Sequence, residues 1–302
     1  MTAVAEEPRR RAAETPFRRF AANFAESRIA VAALMGLAVI AAAAFLAPWI
    51  APQDPFDLKQ LDILDSKLPP GSVGVDGMTF WLGSDDQGRD MFSAILYGLR
   101  TSILVGVGAS LGALLIGMPV GMLAAYFGGR ADSLIMRIVD IQLSFPAILI
   151  ALILLAVLGQ GVDKIVIALV AVQWAYYART VRGTALVERH REYIEAARCL
   201  ALGHRRIVFR HLLPNCLPPL IVVNTVLVAS AIALEATLSF LGLGLPITKP
   251  SLGLLISNGF EYLLSGKYWI SFFPGVALLI TIVCINLVGD QLRDVLNPRL
   301  QR

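Results

Sequence analysis

Thr101 to Ala125 reads TSILVGVGASLGALLIGMPVGMLAA, twenty-five positions without a charged side chain. At about 1.5 Å per residue, such a helix is longer than the ~30 Å hydrocarbon core of a bilayer, which takes about 20 apolar residues to cross. An open strand is excluded, because lipid would leave its backbone N–H and C=O groups unpaired. The pattern recurs on both sides. Upstream lies Ile29–Ile50; downstream lie Ser133–Leu158, Ile165–Ala185, Leu217–Phe240 and Trp269–Val288. Six such runs predict an all-α, polytopic membrane protein with six transmembrane helices. Composition agrees: the 302 residues are 57% hydrophobic and only 16% charged, where a soluble domain carries about 25% charged residues.

The first run is longer than the ~7–15 residue core of a cleaved signal peptide, so Ile29–Ile50 reads as a retained anchor. The chain then divides into an N-terminal segment, 1–28, a first transmembrane helix, 29–50, a polar connection, 51–100, and a core domain, 101–302. The core holds five helices and a long loop, 186–213.

Arginine placement orients the bundle. The head carries Arg9, Arg10, Arg11, Arg18, Arg19 and Arg28. Residues 178–213 add Arg179, Arg182, Arg189, Arg191, Arg198, Arg205, Arg206 and Arg210, and the tail adds Arg293, Arg299 and Arg302. The positive-inside rule puts these segments in the cytoplasm, and an even number of crossings permits it. Residues 51–90 hold eight Asp against Lys59, Lys67 and Arg89, so this segment faces outward. The net charge of +4 belongs to residues flanking apolar runs, which points to an anionic membrane surface rather than nucleic acid.

No catalytic chemistry stands out. There is no Gly-x-x-x-x-Gly-Lys-Ser/Thr phosphate loop, no His-Glu-x-x-His zinc motif and no Gly-x-Ser-x-Gly elbow. Cys199, Cys216 and Cys284 form no Cys-x-x-Cys pair, so they read as small helix residues. His190, His204 and His211 all fall in the Arg-rich loop and read as solvated or interfacial.

Within the spans, Gly108/Gly112 and Gly117/Gly121 make small faces for close helix packing, inside the subunit or against a second one. Pro146 should kink the third span, and Asp132-Ser133 resembles its N-terminal cap. Two acids fall inside candidate spans, Asp140 and Glu235. An intramembrane carboxylate marks a site by default; the alternatives for Glu235 are reaching the outer interface or pairing with a neighbouring helix.

The loop is the most informative segment. Glu192 to Gly203 reads EYIEAARCLALG, and His204 to Asn215 reads HRRIVFRHLLPN. Two short helices are expected. In the first, Ile194, Ala197 and Ala201 share a face, and Ala196 with Ala197 gives a thin surface able to enter a groove on another protein. Gly203 reads as the stop and Pro214 as the start of the next helix. An Arg-rich loop lying on lipid headgroups is the competing reading.

In order and spacing, Glu195-Ala196-Ala197 and Leu213-Pro214 resemble the Glu-Ala-Ala loop of ABC importer permeases, with Ala201 where that family usually has Gly. Leu82–Ser93, Tyr126–Arg130, Leu143–Pro146, Ser239–Gly244, Gly289–Asp294 and Asn297–Arg299 resemble segments of the C-type permease of dipeptide/oligopeptide importers. The resemblance runs from about Phe17 to Leu300; nickel importers have very similar permeases. It implies the type I ABC importer permease fold in a bacterial inner membrane, with both termini cytoplasmic. It further implies a second homologous permease, two ATPases that carry the ATP and Mg, an external substrate-binding protein, and no cofactor on this chain. The coupling helix would comprise Glu195, Ala196, Ala197, Arg198, Ala201 and Gly203, with His211 and Pro214 following. A membrane scaffold and an ion-driven secondary transporter are the rivals; the latter would favour buried ionisable residues such as Asp140 and Glu235.

Overall fold

The structure, a computed structural model, describes residues 16–57, 60–246, 249 and 251–296. Arg9, Arg10, Arg11, Lys59, Arg299, Arg302 and the segment 297–299 lie outside the described residues. In chain order the helices are α1 (Pro16–Ala25), α2 (Arg28–Phe45), α3 (Ala47–Ile50), α4 (Met91–Phe127), α5 (Gly129–Ser144), α6 (Ala147–Leu158), α7 (Val162–Glu188), α8 (Glu192–Cys199), α9 (His204–Arg206), α10 (Leu213–Phe240), α11 (Leu252–Phe260) and α12 (Trp269–Leu296). Strands β1 (Ser72–Val73) and β2 (Thr79–Phe80) form a minimal antiparallel hairpin, so the all-α reading holds.

The core is a three-helix seam. A β-carbon added to Gly112 would meet Val170; one on Gly117 or Gly121 would collide with the Trp174 or Ala178 carbonyl. The residue numbers rise together, so α4 and α7 run parallel, pressed close along a glycine face as their small residues permit. Gly106 faces Ile232 in the same way, while Ser102 meets Glu235 and Ser110 meets Asn224, so α10 runs antiparallel to both. Gly108 has nothing within 4 Å; the first expected glycine pair therefore contributes only Gly112 to this seam.

Parallel α4 and α7 require a return crossing between them. It is made by α5 and α6, which meet at 89°. Pro146 breaks this span rather than kinking it: Phe145 (φ −92°, ψ 142°) and Pro146 (ψ 127°) both leave the helical region, as expected before and at a proline. By length and composition α2, α4, α9–α10 and α12 can each cross a membrane, and the bent pair makes a fifth span. Charges near both ends of α7 (Asp163, Lys164, Arg179, Arg182) shorten its apolar stretch, but its packing beside α4 gives it the same depth. Six crossings are compatible with this arrangement.

Several boundaries differ from the sequence reading. α4 begins at Met91, ten residues before Thr101, capped by Asp90, whose Oδ2 accepts from Ser93 N at 2.8 Å. The first span divides at Leu46, where the Pro48 ring has no N–H to continue the ladder. Asp132-Ser133 is not a cap: α5 starts at Gly129 after Gly128 (φ +67°), and Asp132 is turned to Arg182. Pro214 stands in the first turn of α10 as expected, but no break in the chain precedes it. His204 to Phe240 is continuous, passing through a π-turn at Ile207–Leu212, a widening that accommodates a residue without a donor.

One end of the bundle carries the connection from Glu188 to Leu213 and both described chain ends, where Phe24 packs beside Val295 and Gln291 Nε2 donates to Asn23 O at 3.2 Å. It is called the loop end below. The opposite, Asp-rich end carries residues 51–90 and α11.

Candidate functional site

At the loop end, α8 turns Ile194 and Ala197 into the bundle, where they pack with Ile207, Leu212 and Cys216. The outward face is Glu192, Glu195, Ala196 and Cys199, flanked by Arg198. Ile194 and Ala197 share the inward face as expected, but Ala201, the third residue expected there, lies past the end of α8 and is exposed, and Ala197 is 4% exposed and not free for another protein. Ala196 is the small residue on the open side.

α8 ends in an unusual way. Ala201 N donates to Arg198 O at 2.9 Å and Leu202 N to Ala197 O at 3.1 Å, the paired bonds of a Schellman stop. The residue at its left-handed position is Ala201, with φ +53°, where glycine is normally used because an L side chain crowds the backbone. Gly203 is not the stop; it is extended (φ −59°, ψ 147°) and precedes α9.

Side chains fasten the loop. The Tyr193 hydroxyl donates to Glu188 Oε2 at 2.7 Å and accepts from Asn215 Nδ2 at 3.1 Å, so α8 is tied to the end of α7 and the start of α10. Although Tyr193 as a residue is exposed, partial desolvation of its hydroxyl, reinforced by the Glu188 carboxylate, pushes the phenol up to about 12. Asn215 Nδ2 also donates to the His211 carbonyl at 2.7 Å; Pro214 is exposed. Tyr126 Oη and His204 Nδ1 lie 2.5 Å apart, joining α4 to α9. Arg198, Arg205, Arg206 and Arg210 are exposed around this scaffold.

The two acids predicted within spans behave differently. Asp140 is solvent-facing and paired with Arg179; one turn-pair away, Asp132 binds Arg182 through two bonds of 2.5 and 2.7 Å, so α5 is laced to α7. Glu235 has no exposed surface. Its carboxylate accepts from Ser102 on α4 at 2.9 Å and Ser239 on α10 at 2.8 Å, and Ser251, the cap of α11, also hydrogen-bonds it. Glu235 is an interhelical polar knot and does not reach the interface.

The Asp-rich end holds a charged core that composition concealed. Asp85 and Arg89 are each 1% exposed and pair at 2.5 Å, while Asp85 Oδ1 accepts from the backbone N–H of Gln87 and Arg89. Gln53 Oε1 accepts from Asp90 N at 2.7 Å, and Trp269 Nε1 donates to Ser84 O at 3.1 Å, which clamps residues 51–90 onto α4 and α12. Burial raises the Asp86 carboxyl above its usual range, with the neighbouring Asp85 charge adding to it; burial likewise raises Asp90. The i, i+4 spacing of Asp85 and Arg89 around Gly88 was the available signal.

A groove of about 760 Å³ runs between α7, α10 and α12. Its wall is mostly valine, leucine and proline, interrupted by Gln173, Tyr176, Thr180, Ser230, Asp290 and Arg293. Sequence reasoning placed none of these in a site, because a groove between three helices has no linear motif.

Comparison with known proteins accounts for this arrangement. Residues 117–302 match the binding-protein-dependent transport system inner membrane component family, and residues 15–70 match the N-terminal TM domain of oligopeptide transport permease C. The di/tripeptide transport system permease protein DppC of Pseudomonas aeruginosa is 36% identical over 95% of this chain and 93% of its own length. The probable D,D-dipeptide transport system permease protein DdpC of Escherichia coli is 39% identical over 83% of this chain and 81% of its own. A solved chain of the MetNI methionine ABC transporter, from a study of its inward-facing conformations, shares the fold with TM-score 0.57 at 23% identity, covering 68% of this chain and 98% of that one. The chain belongs to the family of binding-protein-dependent ABC transport permeases of the inner membrane.

Proposed function

We propose that this chain is the C-type permease subunit of an ATP-driven importer of dipeptides and short oligopeptides. It would form half of the translocation path beside a second, homologous permease. Two ATPase subunits would carry the ATP and Mg and perform the hydrolysis; this chain would bind no cofactor. A substrate-binding protein would deliver peptide to the Asp-rich end. The observation that carries this reading is α8: a short helix standing out from the loop end, with Glu192, Glu195 and Ala196 open and its inner face packed on the bundle. Tyr193 ties it to both α7 and α10, so a push on α8 reaches two helices that line the groove. Closure of the ATPase pair on ATP would drive that push and shift the permease between outward and inward access. Relatives named for dipeptide and di/tripeptide transport support peptide over nickel.

The orientation proposed puts both termini and residues 186–213 in the cytoplasm, with residues 51–90 outside, as the Arg distribution requires. In a Cys-free variant, a single cysteine at position 205 should resist an impermeant thiol reagent in intact cells; labelling there reverses the topology. The function itself is tested in proteoliposomes that hold the whole complex, with ATP and the binding protein supplied. Labelled dipeptide should accumulate in an ATP-dependent way, and the chain alone should hydrolyse no ATP above background. Nickel uptake without peptide uptake overturns the substrate assignment.

A further inference from the structure

A second, smaller groove of about 280 Å³ opens at the loop end, between the last turns of α4 and the start of the continuous helix His204–Phe240. Met118, Met122, Leu123 and Phe127 form one wall; Val208 and Phe209 form part of the other. α4 runs from the Asp-rich end down to Phe127, and the facing helix starts at His204 and runs back up. The deep part of the groove is therefore apolar, and Tyr126, His204 and Arg205 gather at its loop-end mouth. There Tyr126 Oη and His204 Nδ1, 2.5 Å apart, join the two walls. Met118 to Phe127 spans about 13 Å of helix, close to half of the ~30 Å hydrocarbon core of a bilayer. The groove has the depth of one leaflet.

The arginines of this end fall into two groups. Arg179, Arg182, Arg189 and Arg191 bond to Asp140, Asp132, the Ala125 carbonyl and Glu188 in turn. Arg205, Arg206 and Arg210 are exposed and meet no acid among the described residues. The walls of the groove cannot supply one, because residues 91–127 and 196–234 contain neither Asp nor Glu. Solvated arginines are ordinary on a surface, but these stand where an apolar slot opens at the membrane interface. We propose that this groove seats an anionic phospholipid, with one acyl chain between α4 and the facing helix and the phosphate against Arg205, with Arg206 beside it. Basic pockets between helices at a membrane surface attract anionic headgroups in this way. Depth also favours lipid over protein. A partner helix that crosses the whole membrane would call for a face extending through both leaflets, whereas this groove ends at Met118. The inference is independent of which solute the complex carries.

The experiment uses the whole complex in nanodiscs of mixed phosphatidylcholine and phosphatidylglycerol. A trace of one lipid or the other carries a photoactivatable diazirine on its acyl chain, and the labelled peptides are mapped by mass spectrometry. In the wild type, the phosphatidylglycerol probe should mark residues 118–127 and 204–213 more strongly than the phosphatidylcholine probe, relative to total label on the complex. Arg205→Gln should cut that preference about fivefold, the usual weight of one basic residue at an anionic surface, and added salt should weaken it in the wild type. Leu123→Trp places a larger side chain at an exposed position of the wall and should reduce labelling by both probes at these two segments alone. Arg205 is exposed, so its replacement reads the headgroup contact even if the tryptophan variant fails to assemble. Equal labelling by the two probes, unchanged in Arg205→Gln, overturns the anionic site. Absence of label from both segments in the wild type also overturns it, and means that the second permease or an ATPase covers the groove.

Discussion

The two ends of the bundle are held together by different chemistry. At the Asp-rich end, Asp85 and Arg89 are sealed from solvent, Asp90 caps α4, and Gln53, Ser84 and Trp269 join segments far apart in sequence. At the loop end, α8 rests on Ile194 and Ala197 and is tied by the side chains of Tyr193 and Asn215, both exposed. Buried charge tolerates no rearrangement, because separating the partners strands an ion in low dielectric. Surface hydrogen bonds exchange with water at little cost. The Asp-rich end is therefore a rigid platform, and the loop end is the part that can shift as a unit while staying attached to α7 and α10.

The largest effect expected from breaking this contrast is at the platform. Asp85→Ala leaves Arg89 buried without its closest acid and removes the acceptor for two backbone N–H groups. Removing one partner of a buried pair costs about 3–5 kcal/mol. Thermal unfolding of the purified complex should drop accordingly, and limited proteolysis should open residues 51–90 first. The control at the other end is Arg198→Ala, an exposed change expected to stay within about 0.5 kcal/mol. Equal losses at the two sites would erase the distinction.

Next in size is Ala196→Trp. A bulky side chain on the open face of α8 touches nothing in this subunit, so abundance and melting should match wild type. Under the proposed function it overpacks the contact with the ATPase, a change worth about 1–3 kcal/mol, and uptake should fall by roughly five- to a hundredfold. Ala197→Trp should behave oppositely, destabilising the permease itself because that site faces Ile207 and Cys216. Wild-type uptake by the Ala196 variant would remove α8 from coupling and favour its lying on lipid.

That pair of alanines shows where sequence reading stops. Long apolar runs are legible because lipid demands them. Met91–Arg100 was missed because its Ser93, Tyr97 and Gly98 face protein, where small and polar groups are admissible; all three are buried. The helical spacing of Ile194 and Ala197 was visible too, but a stripe does not say whether its own bundle or a partner covers it. Pro146 announced a disturbance, not its 89° angle, which depends on what α5 and α6 pack against. Glu235 was visible as an acid in a span; its three serine partners come from α4, α10 and the start of α11, and only tertiary structure assembles them.

A smaller effect is expected at the loop-end tether. Tyr193→Phe removes the hydroxyl between Glu188 and Asn215, a loss of about 0.5–1.5 kcal/mol, and should loosen α8 in hydrogen exchange while leaving residues 51–90 protected. The hydroxyl also predicts a pH window. Its pKa is raised from 10.0 to about 12 in the folded protein, so the protonated form is the one that folding favours. The contribution is fully present below pH 10.0 and is lost as pH rises towards about 12. The stability difference between wild type and Tyr193→Phe should be flat at neutral pH and narrow only in that alkaline range. A difference that varied between pH 6 and 9 would point to another group.

The smallest change sharpens the comparison by making the loop end firmer. Ala201 holds a left-handed φ of +53° at the stop of α8, two residues before a glycine, Gly203, that sits at φ −59° and has no need of its freedom. A left-handed alanine is disfavoured by about 1 kcal/mol, of which glycine recovers part, since glycine also loses more freedom on folding. Ala201→Gly should therefore stabilise the α8 stop by about 0.5 kcal/mol. Gly203→Ala should be neutral to mildly favourable, because its backbone angles suit alanine and a β-carbon there meets nothing within 4 Å. Both are read by exchange of the Leu202 amide, whose bond to Ala197 O closes the stop. Slower exchange in Ala201→Gly, with little change in Gly203→Ala, is the expected pattern. Faster exchange in Ala201→Gly would mean that the strain at Ala201 is not relieved by removing its side chain. If the firmer loop also imports more slowly at unchanged ATPase assembly, then mobility at this end serves transport, in contrast to the platform opposite.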